Sequence, residues 1–116
     1  MSKYHSQKTV VGGIAFDSRK EANRYAELMI LQNAGVIKRL ERQKEYILLP
    51  QQKLPTPVLK DRRMHQVERC VKYIADFVYE KDGEIIVEDV KGYRTSDYTL
   101  KRKLMLYIHG IQVMEI

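Results

Sequence analysis

The 116-residue sequence has one cysteine and no long apolar run, and each shortage excludes a class of protein. Cys70 alone cannot form an intramolecular disulfide or a Cys-rich zinc site, which fits a reducing compartment. No stretch approaches the length needed to span a membrane, and the N-terminus lacks the apolar core of a signal peptide. We therefore expect a cytoplasmic protein with no membrane partner.

The sequence also lacks the patterns of several enzyme classes. The three histidines, His5, His65 and His109, do not have metal-binding spacing. Gly12-Gly13 lacks the context of a phosphate-binding loop, so we expect no organic cofactor. Neither a serine nor Cys70 is paired with a base in a pattern typical of nucleophilic catalysis.

Positive charge is the clearest property of the composition. Lys and Arg number 21 against 15 Asp and Glu, which gives a formal net charge of +6 and a sequence pI near 9.4. Small basic domains often bind polyanions, because neutralising phosphates releases condensed counterions, although many small proteins are simply basic. The alternative for Lys101 and Lys103 is that they are solvated side chains that snorkel from an amphipathic helix. The candidate nucleic-acid contacts are Arg62, Arg63, Arg94, Lys101 and Lys103.

The chain reads as a single α/β domain, residues 1–116, with a mixed β-sheet flanked by two main helices. Turn signals, cap residues and apolar periodicity set the predicted elements. Apolar residues of the second helix (Leu100, Leu104, Tyr107 and Ile108) are expected to point inward. The predicted order is a flexible segment at 1–8, a hairpin of 9–11 and 14–16, a helix at 19–34, an extended stretch at 36–49, an irregular loop at 50–64, strands at 66–80 and 84–91, a helix at 98–109 capped by Ser96 or Asp97, and a last strand at 111–116.

The second predicted hairpin carries the chemistry. If Asp82 and Gly83 are the central residues of a type I′ turn, paired residues have numbers that sum to about 165. Asp76 then faces Asp89, and Lys91 lies on the same side, because side chains alternate between the faces of a strand. The rest of this face is apolar (Ile74, Val78, Ile85 and Val87), so it is expected to be partly buried.

Two carboxylates that face each other across strands, about 4.5–5.5 Å apart at Cβ, destabilise a sheet unless something compensates. Either one binds a proton with a raised pKa, or a cation lies between them. Lys91 offers one positive charge, and a divalent metal would supply the rest; Mg²⁺ is often held by one or two carboxylates plus water and phosphate. The alternative is an ordinary ion-paired hairpin, and a one-residue slip would separate the aspartates.

These segments, Tyr73-Ile74-Ala75-Asp76-Phe77 and then Val87-Glu88-Asp89-Val90-Lys91, resemble the PD-(D/E)xK nuclease superfamily. The resemblance covers roughly residues 14–116 and extends to the order of the flanking elements, which is that of the restriction-endonuclease-like core. More closely, the chain resembles a family of short phage-borne proteins assigned to this superfamily, with similarity to the transposon-end nuclease and Holliday junction resolvase branches. Ala75 stands where the superfamily pattern has proline.

The resemblance implies a role for each site residue. Asp76 and Asp89 would ligate Mg²⁺ or Mn²⁺, with the carbonyl of Val90 as a further ligand, and Lys91 would orient the attacking water. Glu21, on the first helix, would be an additional catalytic or metal-binding carboxylate. The alternative for Glu21 is structural, because Ser18-x-x-Glu21 is also a helix capping box.

The resulting expectation is a metal-dependent DNA endonuclease, selective for branched DNA such as Holliday junctions, in phage recombination or replication. A homodimer is expected, because two-fold symmetry would double the basic surface of so small a domain. The alternatives are a non-catalytic nucleic-acid-binding protein on the same fold and a basic protein-interaction module. RNA is not excluded as a substrate.

Overall fold

The structure is a computed structural model, and it describes residues 8–116. The expected flexibility of residues 1–8 falls outside the described residues, apart from Lys8. Its elements form a mixed α/β architecture, as the sequence predicts. In chain order they are β1 Thr9–Val11, β2 Ile14–Phe16, α1 Arg19–Asn33, β3 Lys38–Leu49, β4 Gln52–Lys60, β5 Arg63–Glu68, β6 Val71–Lys81, β7 Glu84–Asp89, α2 Ser96–His109 and β8 Met114–Glu115.

The strands form a four-stranded sheet and two separate hairpins. The sheet has the order β3-β6-β7-β8, and it is mixed because β6 and β7 are antiparallel whereas β7 and β8 are parallel. β1 pairs with β2, and β4 pairs with β5. Gly12 and Gly13 both have positive φ at the β1–β2 turn, which is the geometry that a two-residue hairpin turn requires.

The chain divides into two compact units. The first contains the chain up to Lys44, Ala75–Tyr93 and Val113–Ile116, and the second contains Glu45–Ile74 and Arg94–Gln112. The core of the first unit lies between α1 and the start of the sheet hairpin; its buried members are Phe16, Ala22, Leu28, Ile37, Phe77 and Tyr79. In the second unit the buried residues include Leu48, Tyr73, Tyr98 and Met105.

Both helices begin at a hydroxyl cap. The Ser18 side chain accepts a hydrogen bond from the Glu21 N–H, as predicted for α1. At α2 the predicted cap is wrong by one or two residues: Thr95 caps the helix and accepts from the Tyr98 N–H. Gly110 ends α2 in the left-handed conformation that glycine tolerates best.

The prediction of an irregular loop at 50–64 is wrong. This stretch forms β4 and the start of β5, joined by a tight turn in which Asp61 and Arg62 both have positive φ. The long strand expected at 66–80 is divided between β5 and β6, and the last strand is shorter than predicted. Pro55 and Pro57 lie where the β4–β5 register shifts, so their missing N–H groups fall at an irregularity of the ladder.

The expected inward face of α2 is also wrong. Leu100 is 56% exposed and Tyr107 is 88% exposed, whereas Tyr98 and Met105 are the buried residues of this helix. The apolar periodicity is therefore present, but much of it faces solvent. Within residues 8–116, neither helix is long and apolar enough to cross a membrane.

Candidate functional site

The β6–β7 hairpin has the predicted register. Val78 pairs with Val87 and Phe77 with Glu88, and Asp82 and Gly83 both have positive φ at the turn, as in type I′ geometry. The same register continued by one residue sets Asp76 opposite Asp89. The two carboxyl groups are in hydrogen-bond contact.

Asp89 is almost completely buried, and both its side-chain carboxylate and its backbone carbonyl are bonded. Its side-chain Oδ1 lies 2.9 Å from the Lys91 ammonium nitrogen, and its carbonyl accepts a hydrogen bond from the Ile116 N–H at 2.9 Å. The chain after β7 thus continues alongside β8, and this pairing fixes the orientation of both Asp89 and Lys91. One of the two forms of compensation expected for paired carboxylates, a neighbouring cation, is present here.

Asp76 shows the other form of compensation. Burial, together with the nearby carboxylates of Asp89 and Glu21, raises the pKa of its carboxyl group to about 7. A hydrogen bond from the Val90 N–H to Asp76 Oδ2, 2.8 Å long, acts in the opposite direction because it stabilises the ionised form. Asp76 therefore exchanges its proton near neutral pH.

The face around the aspartates is only partly buried. Val78 and Val87 are buried, as expected, but Ile74 is 46% exposed and Ile85 is 53% exposed. The burial is therefore concentrated in the middle of the hairpin and near Asp89. The predicted partly buried face is therefore confirmed in the middle of the hairpin, whereas its two ends are exposed.

Glu21 points into this site. It is buried in the first turn of α1, and its Oε1 accepts a hydrogen bond from Gln43 Nε2 at 3.2 Å. The same Gln43 nitrogen lies 3.4 Å from Asp76 Oδ1, so one amide bridges the two carboxylates. Burial raises the pKa of Glu21, and the nearby Asp17 carboxylate adds to the rise. Of the predicted capping box, the structure shows the hydrogen bond from the Glu21 N–H to the Ser18 hydroxyl, while the Glu21 carboxylate bonds to Gln43.

Gln43 has an unusual backbone. Its φ of 52° lies in the left-handed region, although it is inside β3 and is not glycine. Such a conformation bends a strand and re-aims the side chain, at a cost of roughly 1–2 kcal/mol. The sequence does not predict this conformation, because an isolated glutamine in a charged strand gives no signal of a bulge.

Two further cations approach the site without having been predicted. The Lys20 ammonium donates to the Lys91 carbonyl at 3.1 Å. Arg42 stacks on Phe16, 4.4 Å from its ring centroid, and its charge lowers the pKa of Glu21. The site thus combines three carboxylates with several cations from α1 and β3.

A buried ion pair supports the strand that carries Asp89. Glu88 is completely buried, and Arg24 donates to both of its carboxylate oxygens, at 2.8 Å and 2.6 Å. The Tyr79 hydroxyl donates to the same carboxylate; burial, together with this bond, raises the pKa of the phenol to about 12. The group connects α1 with β6 and β7, so it fixes the helix that carries Glu21 against the hairpin that carries the aspartates.

The predicted nucleic-acid contacts all belong to the second compact unit. Lys103 and Arg94 are exposed, and Lys101 forms an ion pair with Asp97 at 3.3 Å. Arg62 lies in the β4–β5 turn, and Arg63 begins β5. The structure brings Glu21, Asp76, Asp89, Val90 and Lys91 together in the first unit.

The carboxylates do not form a ready-made metal cage. Among residues 8–116, no group of three or more His, Cys, Asp or Glu side chains is arranged to hold a metal ion. Lys91 and Gln43 contact carboxylate oxygens at which a cation would bind. The candidate donors are carboxylate oxygens and the Val90 carbonyl oxygen, a set that suits Mg²⁺ or Mn²⁺ and not a soft metal.

The chain belongs to the family described as "Protein of unknown function (DUF1064)", whose model matches residues 1–113. No curated protein and no solved structure matches the chain.

Proposed function

We propose that this member of a family of unknown function is a metal-dependent DNA endonuclease of the PD-(D/E)xK type. The observation that carries the proposal is the contact between the carboxyl groups of Asp76 and Asp89, with Lys91 2.9 Å from Asp89. An acid pair of this kind costs free energy in the folded protein, which is typical of sites built to bind a ligand. The order α1, β3, β6, β7, α2, β8 supports a restriction-endonuclease-like core.

The residues present fit a hard divalent cation. Two aspartates are the usual protein contribution to a Mg²⁺ site, since substrate phosphate and water complete the shell. Asp76 and Asp89 would hold it, with the Val90 carbonyl and Glu21 as further oxygen donors. The bound ion would lower the pKa of a water molecule and polarise the phosphoryl group.

The chain's own groups have separable tasks. Asp76 must lose its proton before it can act as a ligand, so binding is coupled to proton release. The Lys91 ammonium, 2.9 Å from Asp89 Oδ1, would orient a water molecule and stabilise negative charge on the scissile phosphate. Gln43 holds Glu21 and Asp76 through one amide, and the Arg24–Glu88 pair holds α1 on the hairpin.

The substrate proposed is DNA, and the selectivity proposed is for branched DNA such as Holliday junctions, cut by a homodimer. The net charge of +6 supports a polyanionic substrate. The exposed apolar residues of α2, with Tyr107 at 88% exposure, are compatible with a partner surface.

A second candidate is a nucleic-acid-binding protein that does not cleave. The Lys91–Asp89 ion pair and the raised pKa of Asp76 favour it, because together they compensate the acid pair without a metal. Carboxylate-dependent metal binding is the property that separates the two functions.

The experiment is cleavage of labelled four-way, flapped and linear DNA in Mg²⁺ and in Mn²⁺. We expect the wild type to cut and Asp76→Ala and Lys91→Ala to be inactive while remaining folded by circular dichroism. Glu41→Ala and Lys81→Ala, which change exposed side chains of the same types, serve as matched controls. Equal cleavage by all five proteins would indicate a contaminant, and cleavage by none would favour the second candidate.

A further inference from the structure

The β4–β5 ribbon, Gln52–Glu68, is an exposed two-stranded sheet with an asymmetric distribution of charge. Every residue of its two strands is exposed except Leu54, which is half-buried. Isolated two-stranded hairpins are at best marginally stable in water. A ribbon with so little buried surface gains stability from any partner that covers one of its faces.

The register assigns the charges to one face. Lys53 pairs with Val67, and Lys60 pairs directly with Arg63. Because paired residues share a face and alternate residues along β5 do so too, the three cations lie together on one side. The strand residues of this basic face are Lys53, Val58, Lys60, Arg63, His65 and Val67.

The Lys60–Arg63 pair is itself informative. Like charges directly opposite each other destabilise an antiparallel ladder, and no acid of the two strands shares the basic face. The opposite face carries Leu59, Met64 and Glu68. Residues 52–69 as a whole contain five cations against two acids. An anionic partner would relieve the repulsion, whereas a second copy of this basic ribbon would increase it.

We propose that the basic face of the β4–β5 ribbon binds the phosphate backbone of duplex DNA. The inference rests on the DNA substrate proposed above. β4 has nine residues and is about 30 Å long, while duplex DNA carries about one charge per 1.7 Å of its axis, so the face can reach several phosphates. A two-stranded ribbon is also narrow enough for the major groove, which is about 12 Å wide.

The ribbon's cleft is consistent with this use. A cleft of about 540 Å³ lies along the second unit, and Val58, Lys60, His65 and Arg69 are among the residues that line it. Asp61 and Glu68 line it too, at the turn and at the far end of the ribbon. Phosphate contact is therefore assigned to the stretch of the face between these two acids, which includes Lys53, Lys60 and Arg63.

The test is binding of a blunt duplex by fluorescence anisotropy in EDTA, over a range of NaCl concentrations. We compare the wild type, the ribbon variant Lys53→Gln/Lys60→Gln/Arg63→Gln, and a charge-matched control. The control is Lys8→Gln/Lys38→Gln/Lys81→Gln, which removes three exposed cations of the first unit. A further variant, Leu59→Gln/Met64→Gln, alters the opposite face without changing charge.

We expect the slope of log K against log [NaCl] to become less negative by about 2.7 in the ribbon variant, from about 0.9 per phosphate contact. Between about 50 and 200 mM NaCl the wild type would then lose about 40-fold more affinity than the ribbon variant. The control and the opposite-face variant should keep most of the wild-type slope.

Equal slopes for the ribbon variant and the control would overturn the inference, because net charge alone would explain the binding. A wild-type dimer that dissociates in the ribbon variant while the slope stays unchanged would assign the basic face to a second copy of the chain and also overturn it. No cleavage is needed in EDTA, so ribbon-dependent binding by a protein that never cuts DNA would contradict the nuclease proposal alone.

Discussion

Replacement of Asp76 by asparagine should remove a pH-dependent loss of stability. Asparagine has nearly the same shape, keeps an oxygen that can accept from the Val90 N–H, and cannot ionise. In the wild type the folded protein binds the Asp76 proton more tightly than the unfolded chain does, since burial raises the pKa from 3.8 to about 7. The free energy of unfolding therefore falls as pH rises from about 4 to about 7 and stays low above that.

The magnitude follows from the change in pKa. A rise from 3.8 to about 7 corresponds to about 4 kcal/mol at 1.36 kcal/mol per pH unit. Asp76 is only partly buried and is coupled to Asp89, so screening by solvent reduces the expected effect to roughly 2 kcal/mol. Between pH 4 and pH 8, the free energy of unfolding of Asp76→Asn should therefore rise by about this amount relative to that of the wild type.

Urea unfolding in EDTA at a series of pH values measures the effect directly. Glu41→Gln, at an exposed position of β3, is the control and should track the wild type at every pH. A difference between Asp76→Asn and the wild type that stays constant over the range would refute the reasoning. Such a result would mean that Asp76 ionises as freely in the folded protein as in the unfolded chain.

Three further outcomes follow from the same contacts. Gln43→Gly should be about 1 kcal/mol more stable than Gln43→Ala in urea unfolding, because glycine accepts the φ of 52° and both variants lose the amide; the reverse order would remove the argument for strain. Arg24→Met should lower the free energy of unfolding by about 3 kcal/mol, because it leaves the Glu88 carboxylate buried without its cation. Adding Glu88→Gln to this variant should restore part of the lost stability, and no rescue would contradict the buried-charge explanation. Apparent Mn²⁺ affinity should fall as pH drops below about 7, because the ion competes with the Asp76 proton; calorimetry that found the same affinity at pH 6 and 8 would contradict this coupling.

Local turn chemistry made the central hairpin predictable. Asp82-Gly83 fixes a type I′ turn, and the turn fixes the register that sets Asp76 opposite Asp89. The facing positions of the two acids follow from that one turn, so they could be predicted from local sequence. The raised pKa of Asp76 also depends on burial and on Glu21, and the position of Lys91 depends on the pairing with Ile116.

The β4–β5 ribbon was missed for an equally local reason. Pro50, Pro55 and Pro57 indicate a break in regular structure, and the turn residues Asp61 and Arg62 include no glycine. In a two-stranded ribbon each strand has one edge without a partner strand. A proline, which has no N–H to donate, can therefore take a position on that edge or at a register shift. Proline content alone could not distinguish this arrangement from a loop.

Gln43 and the α2 face could not be predicted, because both depend on long-range packing. The left-handed backbone at Gln43 is meaningful only beside Glu21 and Asp76, which are distant in sequence. The prediction of the inward face of α2 was wrong because apolar periodicity alone does not say which face of a helix is buried. Tyr107, which was expected to point inward, is 88% exposed.

The most direct test of the account is calorimetric titration of Mn²⁺ into the wild type and into Asp89→Ala at pH 8, with Glu41→Ala as the control. The account predicts binding by the wild type and by the control and its loss in Asp89→Ala. Equal heats of binding in all three proteins, or none in the wild type, would contradict the claim that Asp76 and Asp89 form a divalent metal site.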